Sequence, residues 1–186
     1  VALLIVAVVG CSGESKPRRD ADSVHAVPVA GQDAEAGAAS VPTVTARGIG
    51  SLQAGMTVAE AAAALGSALT VSAGDDTTGC HYRTWRGAPA GVAVMVEGGR
   101  IARVDIERVG LRTAAGVGVG DTEAEVERAY RGRVVVSPHK YEAGHYLTVK
   151  DSTDSRFALI FETSAGKVTR YRAGLRPSVE YVEGCS

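Results

Sequence analysis

From Arg100 to Glu107 apolar and polar residues alternate, with Ala102, Val104 and Ile106 on one side and Arg103, Asp105 and Glu107 on the other. A period of two belongs to a strand with one dry and one wet face, and it predicts an antiparallel sheet. Just before it, Glu97-Gly98-Gly99-Arg100 places a Gly-Gly pair between two β-rich runs. That is a tight-hairpin signal, so Gly91 to Glu97 reads as the partner strand. Val71 and the run Cys80 to Trp85 add further strand character. In the second half the strands read as Val134 to Val136, His145 to Lys150, Arg156 to Glu162 and Lys167 to Arg172, with a turn from Thr163 to Gly166. Phe157, Leu159 and Phe161 alternate with Ala158 and Ile160, which predicts a strand covered on both sides.

Two helices interrupt this pattern, and their starts match. Gly55-Met56-Thr57-Val58-Ala59-Glu60 returns as Gly120-Asp121-Thr122-Glu123-Ala124-Glu125, 65 residues on (55 to 120). In each, Thr-x-x-Glu ahead of an alanine-rich run reads as a capping box. The threonine oxygen accepts an orphan N–H and the glutamate reaches back. The first helix is expected from Thr57 to Leu65, with Gly66 as its left-handed cap, and the second from Ala124 to Tyr130. Helix, strands and hairpin recur in the same order in each half. The expected fold class is therefore α+β: two tandem helix-plus-antiparallel-sheet repeats, residues 48–110 and 111–186, forming one shared sheet with the helices on one face.

Residues 1–10 form an apolar run ending at Cys11. The run is shorter than the roughly 20 residues a membrane-spanning helix needs and has the length of a signal-peptide core. Val8-Val9-Gly10-Cys11 resembles the lipobox of bacterial lipoproteins. The resemblance implies cleavage before Cys11 and a lipid on its thiol, anchoring the protein to a membrane. Ser12 stands where an inner-membrane retention signal would carry Asp, so the implied location in a two-membrane bacterium is the outer membrane. The chain opens on Val1 with no basic residue before the apolar run, which reads as a truncated start or a valine-coded initiator. A plain secretory signal with an incidental Cys11, or a piece of a transmembrane helix, is the alternative. From Ser12 to Arg47 there is no Phe, Tyr or Trp, so residues 11–47 read as the lipidated cysteine and a tether without a packed core.

Composition excludes more than it assigns. A net charge of −1, from 20 basic and 21 acidic residues, gives no bulk attraction to nucleic acid. Three cysteines leave Cys80 and Cys185 once Cys11 is set aside. They read as a disulfide in an oxidising compartment that staples the tail to the first half, the alternative being two buried thiols. Catalytic sequence motifs are missing: there is no G-x-S-x-G, H-E-x-x-H, P-loop or dinucleotide glycine pattern. Asp75, Asp76 and His81, or His139 with His145, have no regular ligand spacing, and Asp151 to Asp154 suits an Asx turn better than a calcium loop. The expectation is a protein that is not an enzyme and holds no cofactor and no metal.

Strand phase gives the candidate site. If Ala102, Val104 and Ile106 point inward with Leu147 and Val149, the opposite face collects His81, Arg83, Trp85, Arg103, Tyr146, Lys150, Arg170 and Arg172. Trp, Tyr and Arg dominate binding energy at interfaces and also stack on sugars. The alternatives are a solvated face laced with ion pairs and, for Trp85, a core position one residue out of phase. A G-x-T-x-x-E helix followed by antiparallel strands, twice over, resembles the tandem-repeat fold of β-lactamase inhibitor proteins. It is also similar to the small lipoprotein of the outer-membrane barrel-assembly machinery, which has one such unit. The likeness covers residues 48–175. The inhibitor family has a disulfide in each half where one bridge here would join the halves, and no functional residue is carried over. The resemblance implies an envelope lipoprotein that binds a protein partner through the sheet face. The alternative is a lectin-like module that binds cell-envelope glycan through Trp85 and Tyr146.

Overall fold

The structure is a computed structural model that describes residues 1, 2, 7, 10, 41–71 and 79–185. Cys11, most of the tether, and Asp75 and Asp76 lie outside the described residues. The chain divides into two units, Val1–Ala38 and Ala39–Ser186, and every element below belongs to the second.

Among its described residues that unit is α+β, with antiparallel strands and two helices, but its strands form two separate sheets where one was expected. The smaller has three short strands, β1 (Val44–Thr45), β2 (Gly48–Ile49) and β3 (Leu52–Gln53). It starts ahead of residue 48 because Val44, Ile49 and Leu52 all enter the main core. Gly48 permits its tight turn, since a Cβ there would lie 2.1 Å from the Leu52 carbonyl oxygen. Val44 is further fixed by the later segment, donating to Arg112 O at 3.1 Å and accepting from Ala114 N at 2.8 Å.

The larger sheet has eight strands. Four are β4 (Leu69–Val71), β5 (Cys80–Trp85), β6 (Val92–Glu97) and β7 (Arg100–Ile106). The other four are β8 (Val134–Pro138), β9 (His145–Lys150), β10 (Phe157–Ser164) and β11 (Lys167–Leu175). Each set is a meander. The two meet at their last strands, giving the order β4-β5-β6-β7-β11-β10-β9-β8. At this seam Ile106 lies opposite Tyr171 and Arg103 opposite Gly174.

Both helices begin as the capping boxes predict. Helix α1 (Val58–Leu65) is capped by Thr57 and Glu60 and closed by Gly66 in the left-handed region, and α2 (Glu123–Ala129) is capped by Thr122 and Glu125. Each is then tied to the hairpin of its own meander. Gly55 N donates to Ile101 O at 2.7 Å, and Gly120 N to Val168 O at 2.9 Å. Thr57 bridges Arg100, and Thr122 bridges Lys167. Both hairpins also carry one bulge at corresponding places. Val96 pairs with Ile101 but Met95 with Arg103; Thr163 pairs with Val168 but Glu162 with Arg170. Ala102 is the extra residue in the first, so Ile101 joins Val104 and Ile106 in the core where Ala102 was expected.

Ala61 of α1 and Val126 of α2 are fully buried in one cluster with Val94, Val104, Leu159 and Phe161, so both helices cover the same face of the sheet. Phe161 stacks on Tyr171 with centroids 5.3 Å apart and meets Tyr130 at 6.0 Å. Burying such side chains stabilises by about 1.5–3 kcal/mol each. The outer face has a smaller apolar cluster, Tyr146, Ala158, Ile160 and Val179. Its last member comes from the C-terminal segment, a 3-10 turn at Ser178–Glu180 that continues to Cys185, which is disulfide-bonded to Cys80. This strap explains why β10 is buried on both sides.

Candidate functional site

The seam strands place their outward residues under the strap. Arg103 on β7 can cross the face because its neighbour on β11 is Gly174; a Cβ there would lie 2.6 Å from Arg103 Cβ and 2.4 Å from Ala102 O. The Arg103 guanidinium is almost fully used. Nε donates to Asp105 at 3.0 Å, Nη1 to the carbonyls of Ser178 at 3.0 Å and Tyr181 at 2.6 Å, and Nη2 to the Tyr82 hydroxyl at 2.8 Å. Arg172 on β11 donates through Nε to Val179 O at 2.6 Å and through Nη1 to Glu162. Two buried arginines thus hold the strap by its backbone oxygens.

Glu162 is the centre of the second cluster. It accepts from Arg172, from Arg170 Nε at 2.5 Å and from His139 Nε2 at 3.3 Å. The tautomer of His139 follows from its other nitrogen. Nδ1 receives the backbone N–H groups of Tyr141 at 3.2 Å and Glu142 at 3.1 Å, so it carries no proton and Nε2 is the donor. The ring is stacked on Tyr146 at 4.4 Å. Burial pushes the Glu162 carboxyl up, but the charge of Arg172 with the Arg170 and Arg172 hydrogen bonds outweighs it and holds the pKa below the usual range. At Asp105 the balance is reversed: burial wins over Arg103 and raises the pKa. Tyr82 is also raised, by burial first and then by Asp105.

The predicted face does not survive as one surface. His81, Arg83 and Trp85 lie on the helix side, because they sit opposite Val96, Val94 and Leu69, which all belong to the main core. Tyr82, between them, takes the outer side. Polarity does not alternate along β5, so the strand's phase is set by pairing with β6 and was out by one. Arg83 donates to Leu69 O and to His81 Nε2, and Trp85 packs against the core. Arg103, Tyr146 and Arg172 are on the outer face as expected but buried beneath the strap, with exposures of 3%, 9% and 4%. Lys150 and Arg170 remain accessible. Glu162, Asp105, Tyr82 and His139 were not foreseen as a cluster. The one available signal for Glu162 was a carboxylate closing the otherwise apolar run Phe157 to Phe161.

A cleft of about 400 Å³ opens beside the strap, bordered by Tyr82, Asp105, Glu107, Arg170 and Glu183. The Arg170 side chain is 46% exposed at its edge. Its Nε is held by Glu162, while Nη1 and Nη2 have no hydrogen bond among the described residues. A guanidinium fork fixed at one end and open at the other suits two-point pairing with a carboxylate. Among the described residues there is no group of three or more His, Cys, Asp or Glu placed to hold a metal. Comparison of the chain with protein-family models, curated proteins and solved structures gives no match.

Proposed function

We propose that this protein is a non-enzymatic cell-envelope lipoprotein, anchored through a lipid on Cys11, that binds a protein partner on the outer sheet face at the seam between two repeats. The paired capping boxes, the matched ties from each helix to its hairpin and the matched bulges support a duplicated module. Corresponding positions of the two bulges are Arg103 and Arg170. The first arginine serves the fold by holding the strap, and the second is left for a ligand.

The carrying observation is the Arg170 fork at the mouth of the cleft. A partner carboxylate seated there would gain a charge-assisted, two-point pair with Nη1 and Nη2, whose value is geometric specificity more than strength. The glycan reading loses its support, since Trp85 and Tyr146 face opposite sides of the sheet and Tyr146 is buried. The test is capture of an envelope protein by the mature chain, compared with Arg170→Glu and with Arg156→Glu as an exposed control outside the cleft. Loss with the first and retention with the second supports the reading; equal capture by all three overturns it.

A further inference from the structure

We propose that the segment Ser178–Cys185 is a redox-latched strap, and that its release uncovers on the outer face a site for a turn-forming peptide of a partner protein. The inference rests on reading that face as the partner surface, and adds its regulation and the kind of ligand. Three features carry it.

First, the strap is held as a ligand is held. Its carbonyls at Ser178, Val179 and Tyr181 are received by arginine side chains. Its own backbone bonds are local, Glu180 N to Pro177 O and Tyr181 N to Ser178 O. Second, it has a single deep apolar anchor. Val179 is 0% exposed among Tyr146, Ala158 and Ile160, while Glu180 to Cys185 are exposed or half-buried. Third, its far end is fixed covalently, by a bond that closes 105 residues. Further contacts are Ser178 Oγ to Glu97 at 2.6 Å, Val182 packed half-buried against the same cluster, Glu180 with Arg176, and Glu183 with Lys140 and Tyr141 at the surface.

Opening the disulfide needs a dithiol. One thiolate attacks a cystine sulfur, the second displaces the resulting mixed disulfide, the dithiol leaves as a disulfide, and Cys80 and Cys185 each gain one electron and one proton. The strap then keeps only its non-covalent contacts. When it lifts, Arg103 loses both Nη1 acceptors and Arg172 its Nε acceptor, and the Val179 socket empties. The uncovered donors and the emptied socket then face solvent, and a chain that supplies three carbonyls and one apolar side chain re-makes the contacts the strap had made. The strap supplies the template: a small hydroxyl residue, then a β-branched residue, at the start of a 3-10 turn.

The experiment uses the full chain in oxidised form, in dithiothreitol, and as Cys185→Ser, with a labelled synthetic peptide of residues 177–184 as probe. The amides of Glu180 and Tyr181 are expected to exchange at least about tenfold faster without the disulfide while the central strands stay protected. The peptide should bind the reduced and Cys185→Ser forms only, and a peptide with Val179→Asp should not. Unchanged strap exchange without peptide binding, or collapse of the whole sheet, overturns the proposal by making the bridge purely structural. Release without peptide binding overturns the site. A reduced protein that dimerises by exchanging straps overturns the heterologous partner. The Arg170→Glu capture assay is run on oxidised protein with the strap covalently closed, so its outcome is separate from release and peptide binding in the reduced form.

Discussion

Replacing Glu162 with Gln tests whether an ionised carboxylate organises the outer face. Glu162 is 1% exposed, and the Arg172 side chain bonded to it is 5% exposed, so the substitution takes from a buried guanidinium the carboxylate it is bonded to, with only Asp105 opposite as a further negative charge. Removing one partner of a buried pair costs about 3–5 kcal/mol, and nearly all of that is assigned to Arg172. Arg170 is 46% exposed, and solvent screening keeps its share below about 1 kcal/mol. With a urea m-value of about 1.5–2 kcal/mol/M, the denaturation midpoint of Glu162→Gln at pH 7 should fall by about 2 M. The pH dependence has a definite sign. The folded pKa of Glu162 lies below its unfolded value of about 4.3, so its contribution is present above that pH and is lost as pH falls through the folded pKa. The gap between parent and variant must therefore narrow in acid. Asp105, with its raised pKa, has the opposite trend, but it is present in both proteins and largely cancels. A midpoint within about 0.5 M of the parent at pH 7, or a gap that widens below pH 4, refutes the argument.

Gly174→Ala would push a Cβ to 2.4 Å from Ala102 O and 2.6 Å from Arg103 Cβ, and should lower stability by about 1–3 kcal/mol, read as a drop in Tm. Thr57→Ala and Thr122→Ala each remove a capping box and should each cost about 1 kcal/mol by urea denaturation. Cys11→Ser should shift the protein from the membrane fraction to the soluble fraction, measured by fractionation and immunoblot. Persistence in the detergent-extractable fraction would count against the lipid anchor.

What could be read from the sequence was what is local. A capping box is decided within four residues, and both helices start where Thr57 and Thr122 put them. The hairpin at Gly98-Gly99 and the outward direction of Arg103 also follow from near neighbours. Four things depended on distant partners and were hidden. The bulge at Ala102 is visible only in the pairing of β6 with β7, and it hands the inward position to Ile101. The phase of β5 is imposed by Val94 and Val96, since Cys80 to Trp85 is polar on both sides. The burial of Arg103, Arg172 and Tyr146 requires knowing that Val179 lies over them, which no periodicity in Gly174 to Ser186 encodes. The first strand was missed because Val44 gains its burial from Arg112 to Ala114, far along the chain.

Joining the meanders through their final strands has a consequence for biosynthesis. When the first half leaves the ribosome, β7 has one side paired with β6 and the other bare, and its partner β11 is made only after β8, β9 and β10. Until Tyr171 to Gly174 arrive, the nascent chain exposes an open edge in what will become the middle of the sheet. Such an edge is a template for wrong pairing, and long-range strand closure is slow. Closure of the sheet thus waits on synthesis of β11, and a chain cut short before it would remain open along that edge and prone to aggregate.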